Sequence, residues 1–176
     1  MKKQTSMAGL VIVLCAICLV TSLLLGLVNS VTEGPIEALN KAKTEAAMNE
    51  VLPADSYETV DYTGDDGQIV SVSKAGDAGY VVEVSVSGSQ GMISMVVGVK
   101  ADGTVSGVSI VSMKETAGLG DKALEPEYRA QYVGTTGDAA VNKDGGEIVA
   151  LTGATVTSRA VTNGVNAAVA AAATMG

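Results

Sequence analysis

Gly79–Met113 reads GYVVEVSVSGSQGMISMVVGVKADGTVSGVSIVSM, and its patterning decides the fold. Valine, isoleucine and methionine recur largely at every second position, with serine, glutamate or glycine between them, which is the period of strands with one buried face. Gly-Ser-Gln-Gly at 88–91 and Lys100-Ala101-Asp102-Gly103-Thr104 interrupt the runs, and Asp-Gly suits a tight hairpin turn. Upstream, GQIVSVSKA at 67–75 carries the same alternation. An antiparallel sheet is therefore expected from about Tyr57 to Met113.

Past the sheet, LEPEYRAQYV from Leu124 to Val133 suits a short helix, and a polar Gly/Asp/Asn loop leads to a short strand, EIVAL, at 147–151. From about Thr157 to Thr174 the chain is rich in alanine, with Val161, Val165 and Val169 at i, i+4 and i+8, so one helical face packs on the sheet. Gly164 in its middle costs about 1 kcal/mol relative to alanine and marks a close backbone approach.

Ahead of the sheet the apolar content concentrates. Met7–Val28, MAGLVIVLCAICLVTSLLLGLV, holds 22 residues with neither charge nor proline. At ~1.5 Å per residue this is about 33 Å of helix, enough to cross the hydrocarbon layer. A cleaved signal would have a shorter apolar run and a small-x-small site, which NSVTEGPIEAL does not offer. Leu14 before Cys15 and Ile17 before Cys18 likewise argue against lipoprotein processing, and the two cysteines read as small apolar residues of the span. Thr32-Glu33-Gly34-Pro35 looks like a fresh helix start, followed by an interrupted stripe of Ile36, Leu39, Ala46, Met48 and Val51. The organisation expected is a cytoplasmic N-terminus at 1–6, a transmembrane helix at 7–29, a juxtamembrane helix or stalk at 30–53, and an α+β domain at 54–176.

Lys2 and Lys3 precede the span and no basic residue follows until Lys41, so the N-terminus stays in the cytoplasm and the bulk is exported from a single-pass anchor in the cell membrane. Without those two lysines the exported part has 9 basic against 19 acidic residues, a net charge of −10. Nucleic-acid binding would need the opposite sign. The exported part has no cysteine and the whole chain no histidine, which removes disulfide frameworks, iron–sulfur clusters, histidine-ligated haem, the usual zinc sites and Ser-His-Asp catalysis. Redox chemistry here would need an organic cofactor.

Two segments stand apart from the packing pattern: Met113-Lys114-Glu115-Thr116-Ala117-Gly118-Leu119-Gly120-Asp121-Lys122, and Leu151-Thr152-Gly153-Ala154-Thr155-Val156-Thr157-Ser158. The second lies between a strand and a helix start, where backbone N–H groups and the helix dipole favour a phosphate. Gly153 and Ala154 remove bulk, and Thr155, Thr157 and Ser158 supply hydroxyls. The plain alternative is that Thr157 or Ser158 caps the helix.

ETAGLG at 115–120 and TGAT at 152–155, in one chain with a single N-terminal span, resemble the RnfG (RsxG) family, the FMN-binding G subunits of the Rnf electron-transport complex. The same FMN-binding domain recurs in NqrC of the sodium-pumping NADH:quinone reductase. The likeness runs in order through span, stalk, sheet, loop, TGAT and closing helix. It implies FMN joined through its phosphate to the hydroxyl of Thr155, the bond being made by a separate flavin transferase of the ApbE type, with Thr157 the less favoured attachment point. It further implies that Glu115, Thr116, Gly118, Leu119 and Gly120 lie along the flavin ring and that Thr152, Gly153, Ala154, Thr157 and Ser158 surround the attachment. Lys122, Arg129 and Arg159 become candidates for setting the flavin potential. The sequence departs from the family at Val149, where the transferase motif commonly has aspartate, and at Ala117, where the loop commonly has proline.

The implied function is electron transfer within a ferredoxin:NAD⁺ oxidoreductase complex that moves Na⁺ or H⁺. Its partners would be the A, B, C, D and E subunits of that complex, and this chain alone would perform no complete reaction. An NqrC-like chain of a quinone reductase, commonly longer, and an anchored module without redox chemistry are the alternatives.

Overall fold

The computed structural model describes residues 7–64 and 67–175. Lys2 and Lys3, and with them the segment 1–6 from which the orientation is read, lie outside the described residues. The chain divides into two compact units, one ending at Ala42 and the other running from Lys43.

Helix α1 spans Met7–Val51. In the first unit its apolar side chains from Leu10 to Val31 are exposed on every side, and among the described residues it is the one helix long and apolar enough to cross a membrane. The expected fresh start at Thr32–Pro35 is not there: α1 continues through Pro35. Proline removes one i→i−4 bond, but in so long a helix the turns on either side keep theirs, and the interruption does not end it.

In the second unit only the last turns of α1 find partners. Ala47 and Val51, with Leu52 just beyond, pack against Ala75, Val81 and Val96. The stripe predicted from Ile36, Leu39, Ala46, Met48 and Val51 is thus realised at its C-terminal end, with Ala47 taking the place of Ala46 and with Ile36 and Leu39 exposed.

Five strands follow: β1 (Glu58–Val60), β2 (Ile69–Lys74), β3 (Gly79–Ser87), β4 (Met92–Lys100) and β5 (Val105–Ser112). Each pairs antiparallel with the next, so the sheet is a meander in the order β1-β2-β3-β4-β5. The β3–β4 register runs from Gly79 opposite Lys100 to Ser87 opposite Met92. At the β4–β5 turn, Asp102 accepts from the Thr104 amide at 2.9 Å and from its hydroxyl at 2.6 Å. Those two bonds, the hydroxyl's first, hold the Asp102 carboxyl below its ordinary pKa.

Alternation sends Val82, Val84, Val86, Ile93, Met95, Val97 and Val99 to one face, where helix α3 (Thr155–Ala173) covers them, while Val81 and Val96 meet the end of α1 on the other. Strand β4 is therefore buried on both faces, and each such aliphatic side chain contributes about 1.5–3 kcal/mol. From α3, Val161 and Val165 are fully buried and Val169 nearly so, as their spacing requires. Gly164 does mark a close approach, since a Cβ there would strike Met95 Cε and lie 3.0 Å from Val86 Cγ1.

The end of α1 is fastened to β5. Ser106 donates to the Val51 carbonyl at 2.6 Å and Ser109 donates to Glu50 at 2.6 Å. Arg129, from helix α2 (Pro126–Ala130), donates to the Glu50 carboxylate at 3.1 Å and to the Val108 carbonyl at 2.9 Å. The Ser109 hydroxyl first and then Arg129 hold the Glu50 carboxyl below its usual range, against an opposing effect of burial.

The segment EIVAL is not a strand. Ile148 makes a single parallel bridge to Val141, the Val149 amide donates to Gln131 Oε1 at 2.7 Å, and the Ala150 amide donates to Asn142 Oδ1 at 3.2 Å. Side chains take the amides that a neighbouring strand would have taken.

Candidate functional site

The two unusual segments meet. Glu115, Thr116, Leu119 and Gly120 from the first, and residues 153–157 from the second, line one cleft of about 280 Å³. Ser89, from the β3–β4 turn, completes the lining.

A carboxylate holds these pieces together. Glu115 accepts from the Ser89 and Gln90 amides at 2.9 and 3.1 Å through Oε1, and from the Thr157 hydroxyl at 2.6 Å through Oε2. One side chain thus ties the hairpin, the loop and the first turn of α3. Thr116 tightens the loop, its carbonyl accepting from the amides of Leu119 at 3.1 Å and Gly120 at 3.0 Å. Gly120 has to be glycine, because a Cβ would lie 2.7 Å from Glu115 Cβ and 3.0 Å from Thr157 Oγ1.

On the other wall the chain turns through Thr152-Gly153 into α3. Gly153 has φ +79°, which an L side chain adopts at a cost of roughly 1–2 kcal/mol, and Leu119 Cδ2 would stand 3.1 Å from a Cβ there. Ala154 is the N-cap residue and offers no side-chain bond, and no acidic residue occupies the first turn. The amides at the start of a helix lack intrahelical acceptors, so this end presents donors and the positive end of the dipole. Thr155, the first helical residue, is half-buried on the cleft, and beside it Val156 is exposed.

Thr157 and Ser158 do not cap the helix. Both are fully buried. The Thr157 hydroxyl is spent on Glu115, while Ser158 Oγ accepts from the Leu151 amide at 2.9 Å and donates to the Ala154 carbonyl at 3.1 Å. Deeper in, Thr162 donates to the Ser158 carbonyl at 2.8 Å and shares its oxygen with Tyr132 at 2.9 Å, which in turn meets Tyr128 at 3.0 Å. Burial raises the Tyr132 phenol above its usual range. This chain of hydroxyls fixes the start of α3 from below.

Of the remaining sequence candidates, Thr152, Gly118 and Ser158 lie outside the lining of the cleft. Arg129 is engaged at Glu50 and Val108, and Lys122 sits exposed in the 3₁₀ turn Gly120–Leu124. Arg159 forms a bidentate pair with Asp144, 2.7 Å from Nε and 2.5 Å from Nη2, which lowers the Asp144 pKa and raises that of Arg159. Val149 is exposed. Ser89 and Val156 line the cleft without having been expected there: the first sits in a stretch legible only as a turn, and the second is an apolar residue among hydroxyls.

A model of the FMN-binding domain family matches residues 88–170, a stretch that contains both walls of the cleft. Over 182 residues the chain is 32% identical to the G subunit of the ion-translocating oxidoreductase complex of Methanosarcina acetivorans, covering 96% of each. Over 186 residues it is 33% identical to the G subunit of the Na(+)-translocating ferredoxin:NAD(+) oxidoreductase complex of Acetobacterium woodii, covering 88% of this chain and 86% of the relative. Among solved structures, the C subunit of a Na(+)-translocating NADH-quinone reductase from Parabacteroides distasonis has the same fold, with a TM-score of 0.52, 20% identity, and coverage of 74% of this chain and 80% of that one.

Proposed function

The chain belongs to the G-subunit family of ion-translocating oxidoreductase complexes, and from that premise we propose that it carries FMN as a phosphoester on Thr155 and relays electrons at the outer face of a membrane-bound ferredoxin:NAD⁺ oxidoreductase. The observation that carries the reading is the convergence of ETAGLG and TGAT on one cleft, with Thr155 on its wall at an uncapped helix start.

The residues present fit the group. Of the two threonines in the first turn of α3, Thr157 donates to Glu115, whereas the Thr155 hydroxyl makes no hydrogen bond among the described residues and is left for a ligand. The uncapped amides of α3 receive a phosphate, and Gly153 and Ala154 let it approach. Leu119 and Val156 offer apolar surface to a flat ring, and Glu115 keeps the two walls in register. A cleft of about 280 Å³ lies just below the roughly 300–1,000 Å³ usual for cofactor sites, so Glu115, Thr116, Leu119 and Val156 would cover only part of a flavin and would leave the rest open to partners. Bound FMN supplies the ability to accept an electron pair and release it singly. An ester bond retains the cofactor where no pool of free FMN replaces it.

The same reading takes 7–29 as the membrane span, 30–53 as the stalk and 54–176 as the FMN domain, with Lys2 and Lys3 keeping the N-terminus in the cytoplasm. Maturation then needs an ApbE-type flavin transferase, and function needs the A to E subunits of the complex.

The test is fluorescence of the denatured band. Full-length protein made with the transferase is expected to fluoresce after complete unfolding, Thr155→Ala to be dark, and Thr157→Ala to keep its signal. A fluorescent Thr155→Ala band refutes the attachment site.

A further inference from the structure

We propose that Arg159 grips the phosphoester at Thr155, with Asp144 as the carboxylate that aims it; the inference rests on the attachment proposed above. Arg159 follows Thr155 by one helical turn, and residues at i and i+4 are neighbours on a helix surface, their Cβ atoms about 5–6 Å apart. Helical side chains lean toward the N-terminus, which favours the turn that bears Thr155; Arg159 itself lines the neighbouring hollow with Asp144, Thr162 and Asn163 and stands outside the lining of the cleft. The guanidinium is accessible, its side chain retaining 49% of its exposure.

The pairing with Asp144 leaves the required donors open. Nε and one Nη2 hydrogen engage the carboxylate. Of the five guanidinium N–H donors, the two on Nη1 and the second on Nη2 have no acceptor among the described residues. A fork held along one edge by a carboxylate presents its other edge in a fixed orientation, and that edge matches two phosphate oxygens. A surface ion pair at the end of a short 3₁₀ turn adds little stability by itself. As an aiming device beside an esterified threonine it has a use: the helix amides face one side of the phosphate and Arg159 another, so a group bearing negative charge does not repel the nearby Asp144.

Arg159 is accordingly a positioning residue, and its partner Asp144 separates this role from mere fastening of the 142–144 turn. Full-length wild type, Arg159→Gln, Arg159→Lys and Asp144→Asn are produced with the flavin transferase, and intact mass and the ³¹P resonance of the folded protein are recorded for each. With FMN attached, Arg159→Gln is expected to move the resonance toward its position in the urea-unfolded protein. Arg159→Lys should restore most of the wild-type shift, and Asp144→Asn, which loosens the aim but keeps the guanidinium, should move the resonance only part of the way that Arg159→Gln does. If Arg159→Gln takes up no FMN, Arg159→Lys carries the comparison: a partial displacement supports the contact and an unmoved resonance overturns it. Equal displacement by Arg159→Gln and Asp144→Asn, or none by either, overturns the role of Arg159 while the linkage stands. Absence of FMN from wild type overturns the linkage itself and this inference with it.

Discussion

Replacing Glu115 by alanine removes three hydrogen bonds at once, and their surroundings set the magnitude. The Thr157 hydroxyl, fully buried, is left without its acceptor, at a cost of about 1–3 kcal/mol. The Ser89 and Gln90 amides lie in an exposed turn where water replaces the carboxylate, so each adds only roughly 0.5 kcal/mol. The sum, about 2–4 kcal/mol, corresponds at roughly 3–5 °C per kcal/mol for a domain of this size to a melting temperature lowered by about 6–20 °C. Glu115→Gln keeps an acceptor for the two amides and can donate to Thr157, so it should fall between wild type and alanine. Thermal unfolding of the full chain in detergent, followed by circular dichroism, gives the order. A double-mutant cycle with Thr157→Val should return a coupling of about 1–2 kcal/mol. If Glu115→Ala melts within about 2 °C of wild type, the carboxylate does not brace the cleft and the reasoning is wrong.

Two further outcomes follow from the core and from α1. Gly164→Val forces a branched side chain into Met95 and Val86, and is expected to destabilise by about 2–3 kcal/mol in urea titrations even though glycine is the poorer helix former. Glu50, whose folded carboxyl titrates below its ordinary value through Ser109 and Arg129, contributes stability that is complete above the unfolded value of about 4.3 and disappears as pH falls through the folded one. Urea midpoints measured from pH 7 to 3 should therefore drop at the acid end, and Ser109→Ala should flatten that drop.

The sheet was legible because alternation is a local property: the expected limits, Tyr57 to Met113, differ from the observed Glu58 to Ser112 by one residue at each end. EIVAL carries the same local signal, but beyond the single bridge from Ile148 to Val141 no strand pairs along it, since Gln131 and Asn142 occupy the Val149 and Ala150 amides. Pro35 misled in the other direction, a helix-start signal embedded in a helix long enough to ignore it. In the site, the small residues and hydroxyls of both segments are legible in the sequence, and Thr155 is singled out among them by the family resemblance. The roles of Thr157 and Ser158 could not, because a hydroxyl near a helix start suits a cap, a ligand or a buried brace equally, and the brace partner Glu115 lies 42 positions away. Ser89 entered the cleft only through the β3–β4 register.

The meander has a consequence for the order of assembly. Every strand pairs with the one made just before it, so the sheet can grow hairpin by hairpin as the chain emerges, with short loops to close and little entropy lost at each step. Its larger apolar face must nevertheless wait for α3, the last element to appear. Until then Val84, Val86, Met95 and Val97 lie open to any other sticky surface, which makes a nascent or truncated chain lacking that helix prone to aggregate. Thr155 sits at the first residue of the same element, so it takes up its place on the cleft only as the core is sealed.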